Sequence, residues 1–303
     1  MSISLEVRIA GALLVFAAGA TAGTALAAEP TPSLANYRYG PHERNVLDLW
    51  MAKSQRPAPL LAFFHGGGFD SGDKKMIDPG LIRRMADSGI SVMAVNYRLT
   101  PQAKYPEHYL DCARAIQTAR VNHEVWNVDP ERVAATGPSA GGVISLWLAF
   151  HVDLADAKSA DPVLRESTRL RCAAVIDTPA SLDPRDMRKW IGERAIEHRF
   201  FRGAFFGLTP EQVNTPAGLK RFVEASPLSY LTADDPPVYA FHHGPKEVPT
   251  DISVTDAVHH YNSGVHLKER MDQLKLECVL VNIHDVKDGD GGPAAFVERR
   301  LAN

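Results

Sequence analysis

The sequence predicts an α/β fold: a mostly parallel central sheet with helices on both faces, plus a small helical insertion. Three observations predict it. Short apolar runs alternate with helical patterns along most of the chain, the rhythm of βαβ units. The runs are near-continuous rather than alternating, as strands buried on both faces require. One stretch, residues 181–231, breaks the rhythm with several helical pieces, aromatic residues and turn residues.

Residues 45–51 alternate in the manner of a half-buried strand. Residues 59–64 are an apolar run ending at a glycine cluster, and 91–97 are another, with a helical pattern at 77–88 between them. A long helical pattern covers 106–126, with Leu110, Ala113, Ile116 and Ala119 spaced three apart. Residues 132–136 read as a short strand running into a glycine-rich turn, and 140–154 as an apolar helix. Further strands are expected at 172–177, 237–241 and 278–283. Between the last two, 256–276 reads as one helix, with Leu267, Met271 and Leu274 on one face. The insertion at 181–231 carries Trp190, Phe200, Phe201, Phe205 and Phe206. It reads as packed over the C-terminal edge of the sheet, as a lid, a pocket wall or a plain packing layer.

The chain has 303 residues, 45% hydrophobic and 23% charged, enough to bury a large core without staples. A formal charge of −3 with no Lys/Arg block makes no case for nucleic acid or an anionic membrane surface as partner. Cys112, Cys172 and Cys278 are too few and too widely spaced for a disulfide framework or a zinc motif, and read as small buried hydrophobes. At the N-terminus, Arg8 precedes an apolar stretch, Ile9 to Ala20, and Ala25-Leu26-Ala27 fits the small-x-small cleavage rule. Residues 1–27 are therefore expected to be a signal peptide, leaving 28–303 as an exported, periplasmic or secreted domain with no stable membrane span. Oligomeric state is left open by the sequence.

The strongest chemical signal is Gly137-Pro138-Ser139-Ala140-Gly141-Gly142, between a strand and a helix. That is the context a G-x-S-x-G nucleophile elbow needs: the serine is held strained and exposed, and bulkier residues two before or two after it would collide. The second signal is His65-Gly66-Gly67-Gly68-Phe69 at the end of the 59–64 strand. With no G-K-[ST] ending and no dinucleotide spacing, it is a poor phosphate loop. In an ester-cleaving enzyme, its amides at Gly67 and Gly68, with that of Ala140, would hold the oxyanion. His65 reads as a hydrogen-bonding residue of the loop.

Together, HGGGF at 65–69 and GPSAGG at 137–142 resemble the α/β-hydrolase superfamily, within it the carboxylesterases and lipases similar to hormone-sensitive lipase and the feruloyl-esterase-like group. Asn96-Tyr97-Arg98-Leu99, Tyr105-Pro106, Asp111 and the run Val128 to Val133 add to the likeness. The resemblance implies an ester-hydrolysing serine enzyme with no metal or organic cofactor, acting on a small-molecule or carbohydrate ester. It implies an acid after the 237–241 strand, where His243-Gly244-Pro245-Lys246-Glu247 puts Glu247, or Asp251 if the loop folds differently. It implies a histidine after the last strand. The matching loop, Asp288-Gly289-Asp290-Gly291-Gly292, has none, so His284 is the expected base; His259 and His260, on the preceding helix, are read as surface or pocket-lining residues. A peptidase of the same fold, and a binding protein that kept the fold and lost the triad, stay open as alternatives.

Overall fold

A computed structural model describes residues 29–287, 289 and 291–302. The expected export segment, 1–27, lies outside the described residues. Eight strands form one sheet: β1 (Leu34–Arg38), β2 (Val46–Trp50), β3 (Ala58–Phe64), β4 (Ser91–Val95), β5 (Val128–Pro138), β6 (Cys172–Ile176), β7 (Val238–His242) and β8 (Cys278–Asn282). Their order is β1-β2-β4-β3-β5-β6-β7-β8. The pairs β1–β2 and β2–β4 are antiparallel; every pair from β4–β3 to β7–β8 is parallel. This is the α/β-hydrolase fold.

The helices are α1 (Pro79–Asp87), α2 (Glu107–Val121), α3 (His123–Trp126), α4 (Ala140–Phe150), α5 (Pro184–Trp190), α6 (Glu193–Ile196), α7 (Pro216–Ala225), α8 (Val254–Val258), α9 (Asn262–Gln273) and α10 (Gly292–Leu301). They cover both faces, and the two-residue period of a strand divides the core accordingly. In β3, Leu60, Ala62 and Phe64 join the cluster shared with α2 and α4, while Leu61 and Phe63 join the one shared with α1 and α10. All seven residues of β3 are buried, which is why the run is apolar throughout. Each fully buried Leu or Phe contributes about 1.5–3 kcal/mol. Cys112, Cys172 and Cys278 are buried free thiols.

Three local differences from the expectation matter. The pattern at 106–126 is two helices, α2 and α3, and β5 begins at Val128, just after Asn127 turns the chain in the left-handed region at φ 50°. The strand β1 and helix α10 carried no strong pattern of their own. The helix expected over 256–276 is broken: α8 stops at Val258 and α9 starts at Asn262. Ser253 caps α8, accepting from the Asp256 amide at 3.0 Å. The break leaves His259, His260 and Tyr261 between two helices.

Parallel strands bring their C-terminal ends to one edge. The residues following β3, β5, β6 and β7 there are His65–Gly68, Ser139, Asp177 and His243, drawn together by sheet register alone.

Candidate active site

Ser139 joins β5 to α4 with φ 50° and ψ −120°, a conformation that costs a non-glycine residue about 1–3 kcal/mol. The strain persists because the corner is tied down on both sides. The Ser139 amide donates to the Ile176 carbonyl of β6 at 3.0 Å, and its carbonyl accepts from the Val143 amide at 2.9 Å. The glycines are there for space. A Cβ on Gly141 would stand 1.9 Å from the Phe64 carbonyl, and one on Gly137 2.2 Å from the same oxygen. A Cβ on Gly142 would stand 1.9 Å from Thr178 Oγ1. The collisions are with β3 and with the loop after β6, besides those across the turn itself.

The glycine loop after β3 lies against this corner: a Cβ on Gly66 would stand 3.6 Å from Ser139 Cβ. Gly67 and Gly68 take φ values of +110° and +60°, which L side chains rarely adopt. Their amides, and that of Ala140 at the start of α4, donate to no acceptor among the described residues. The loop is braced from beneath by His65, which is fully buried. Its Nδ1 donates to the Gly66 carbonyl at 2.8 Å, its Nε2 lies 3.3 Å from Arg44 Nη2, and its ring stacks on Tyr97 at 4.2 Å. Burial lowers its pKa to about 4, so the ring is neutral and works as a brace.

The imidazole at Ser139 is that of His259: Nε2 lies 2.8 Å from Ser139 Oγ. A hydrogen bond to the Thr255 carbonyl, one turn back on α8, holds the ring's other nitrogen. That bond fixes the proton on Nδ1 and leaves Nε2 free to accept from the serine. Burial lowers the His259 pKa, against the opposing pull of Asp177, the Thr255 carbonyl and Asp256. The ring is therefore neutral near pH 7, the state a base needs.

His284, the base expected from the sequence, is exposed on a short 3₁₀ turn, Ile283–Asp285, after β8. Its amide donates to Asn282 Oδ1 at 3.0 Å, and its side chain makes no hydrogen bond to Ser139. Neither expected acid reaches the histidine. Glu247 and Asp251 have exposed side chains, and Glu247 offers only its carbonyl, to His260 Nε2 at 3.2 Å. The Asp177 carboxylate, just after β6, raises the His259 pKa by its charge and is hydrogen-bonded to His243: the His243 amide donates to Oδ1 at 2.8 Å, and Nδ1 lies 2.6 Å from Oδ2. From the sequence, Asp177 is only the last residue of the 172–177 apolar run.

These features can be set beside known proteins. The BD-FAE family model matches residues 47–256, a span that contains both glycine motifs, Ser139 and Asp177. The chain belongs to the BD-FAE family. The match ends at Asp256, short of His259. Among curated relatives, the chain is 28% identical over 241 residues to the probable carboxylic ester hydrolase LipM of Mycobacterium tuberculosis, covering 73% of this chain and 52% of LipM. It is 30% identical over 210 residues to Esterase LipC of the same organism, covering 67% of this chain and 49% of LipC. The chain thus spans about half the length of these relatives. Among solved structures, a truncated carbohydrate esterase from gut microbiota superposes with TM-score 0.72 at 18% identity, covering 91% of this chain and 99% of that one. An acetyl ester-xyloside bifunctional hydrolase from Caldicellulosiruptor lactoaceticus superposes with TM-score 0.64 at 22% identity, covering 85% and 88%. At these identities the likeness is one of fold.

This BD-FAE chain also brings its 181–231 segment to the site. Phe200 and Phe205 pack against Phe69, Tyr105 and Tyr109, anchoring the segment to α2 and the glycine loop, while Phe206 meets Phe222 within the segment. The short 3₁₀ turn Arg199–Arg202 faces that loop. The Arg199 guanidinium pairs with Asp70 and lies over Gly68, whose added Cβ would meet it at 3.3 Å. Beside it, His198 has a pKa lowered to about 4, first by burial and then by the neighbouring His259 and Arg199. The segment therefore forms a wall of the site, at the glycine loop and the histidine.

Proposed function

We propose that this chain is a serine hydrolase that cleaves carboxylic esters through an acyl-enzyme. The observation that carries the reading is the 2.8 Å approach of Ser139 Oγ to His259 Nε2 at a strained strand–helix corner. His259 takes the serine proton as Oγ attacks the acyl carbon. The carbonyl oxygen becomes an oxyanion, held by the unengaged amides of Gly67, Gly68 and Ala140. When the tetrahedral intermediate collapses, the C–O bond to the alcohol breaks, and the imidazolium gives its proton to the leaving oxygen. Water, deprotonated by the same imidazole, then releases the acid and restores Ser139. The relatives named as ester hydrolases support the reaction class, and the carbohydrate esterase among the structural neighbours supports an acylated sugar as substrate. The small-x-small site at Ala25–Ala27 supports export of the chain after cleavage.

Hydrolysis of p-nitrophenyl acetate and of acetylated xylo-oligosaccharide by the purified protein tests the reading, with Ser139→Ala alongside. Turnover confined to the wild type, and mass labelling of Ser139 by a fluorophosphonate, are the expected results. Equal turnover by both proteins, or an unlabelled Ser139 in folded protein, would refute it. The mass of chain recovered outside the cytoplasm tests export: a mature form beginning at Ala28 is expected.

A further inference from the structure

We propose that His260, in the break between α8 and α9, is a positioning residue for His259: it stops the helix and locks the loop that carries the base. The inference rests on the serine-hydrolase reading above. His260 is fully buried, where the sequence suggested a surface or pocket-lining residue. Its Nε2 lies 3.2 Å from the Glu247 carbonyl, in the loop after β7, and the Asn262 amide donates to its Nδ1 at 3.1 Å. A carbonyl can only accept and an amide N–H can only donate. The two bonds therefore select one state of the ring, neutral with its proton on Nε2. Burial lowers the His260 pKa, against the opposing pull of the Glu247 carbonyl, and favours the same state.

The bond to Asn262 is what ends the helical run. In an uninterrupted helix that amide would donate four residues back, to the Val258 carbonyl. His260 Nδ1 takes it instead, and the Ser263 amide turns to the His260 carbonyl at 3.0 Å, three residues back. The loop is also held at its flanks. At the end of β7, His242 Nδ1 donates to the His259 carbonyl at 3.2 Å. Toward the 181–231 segment, Asn262 Nδ2 donates to the Trp190 carbonyl at 2.8 Å, at the end of α5. The Trp190 ring stacks on His266 at 4.5 Å, one turn further along α9, and α6 packs against α8. Asn262 is thus held by its amide to His260 and by its side chain to the insertion. Fixing the backbone on both sides of His259 fixes the direction in which its imidazole leaves the chain. A misplacement of about 1 Å near the chemistry costs on the order of a hundredfold in rate, so the hold on this loop bears on turnover. The groups facing His259 are Asp177 from the end of β6, Asp256 from α8, His242 from β7 and His198 from the 181–231 segment; His242 also faces His260. Replacing a neutral His260 leaves all those charges as they are.

The test compares His260→Ala, His260→Asn and His260→Gln on p-nitrophenyl acetate, with Ser139→Ala alongside. His260→Ala returns the Asn262 amide to the helix and loosens the loop. It should lower kcat by about tenfold to a hundredfold with KM within about threefold. It should also move the acid limb of the kcat/KM profile to higher pH, because a loosened His259 loses the burial that lowers its pKa. The Asn side chain can accept from an amide two residues on, standing in for Nδ1, so His260→Asn should recover kcat to within about fivefold of the wild type. Gln stands in for Nε2 alone, so His260→Gln should stay low. Should His260→Ala fail to fold, the order of Asn above Gln still carries the proposal, and equal or reversed kcat values in that pair overturn it. Wild-type kcat and an unshifted limb in folded His260→Ala, with Ser139→Ala dead, would overturn the assignment while leaving the hydrolase reading intact. So would a fall in kcat that leaves the limb in place and that Asn does not rescue, since a merely structural role predicts that. An inactive wild type whose Ser139 resists fluorophosphonate would instead bring down the reading itself.

Discussion

Ser139 Oγ and His259 Nε2 meet at 2.8 Å across 120 residues of sequence, and they meet because a helix is interrupted. Had residues 254–273 formed one continuous helix, the imidazole would be carried along a rigid cylinder. Ending α8 at Val258 lets His259 take φ −102° and ψ 9° and turn its ring to the corner.

The base can be checked directly. His259→Ala should lower kcat/KM by about 10²–10⁴, the ordinary contribution of a general base, while His284→Ala should leave it within twofold. Because burial lowers the His259 pKa, the acid limb of wild-type activity should lie below the range of an ordinary imidazole, activity falling as the ring takes up a proton. Initial rates for both variants, and a pH series on the wild type, measure these outcomes.

Both glycine motifs were legible because each sits in a local context, strand then turn, that sequence displays. The strands that end at the site were legible because double burial demands unbroken apolar runs. His259 was not. Leu267, Met271 and Leu274 repeat with helical period, and that repeat was extended backwards through His259 without a stop signal. The usable clue was Ser253-x-x-Asp256, an N-cap pattern that starts a helix earlier and leaves it short. The place of Asp177 was hidden for another reason: it depends on sheet order, which sets β6 between β5 and β7, and no local pattern encodes that neighbourhood.

Close packing of the elbow gives a stability test. Gly141→Ala puts a methyl group 1.9 Å from the Phe64 carbonyl, between two backbones that cannot swing aside. It should destabilise by about 2–4 kcal/mol, at or above the usual range for overpacking. Gly244→Ala, with no heavy atom within 4 Å of the added Cβ, should stay within about 0.5 kcal/mol. Urea unfolding of the two variants reads the difference.

Arg199 separates binding from stability. Its pair with Asp70 is half-exposed, so removal should cost no more than about 1 kcal/mol. Yet the guanidinium lies over Gly68 in the glycine loop beside Ser139. Arg199→Ala should change KM severalfold for bulky esters, with little change for p-nitrophenyl acetate and nearly unchanged Tm. Steady-state kinetics on an acyl-group series, with a thermal melt, tests both halves.

Buried histidines set the acid limit of the fold. His65, His108 and His242 are at most 1% exposed, and burial lowers each pKa to about 4. In the unfolded chain they titrate near 6.5. Between these values the unfolded state binds protons that the folded state refuses. Stability is therefore fully present above pH 6.5 and declines as pH falls towards 4. Each ring contributes up to about 3 kcal/mol to that loss. His108 is the clearest single case: its Nδ1 is buried without a partner, and Nε2 has Thr100 Oγ1 at 3.2 Å. Replacing it with Phe, which cannot take up a proton, should reduce the slope of Tm against pH between 4 and 6.5. An unchanged slope in His108→Phe would show that this ring exchanges no protons on unfolding.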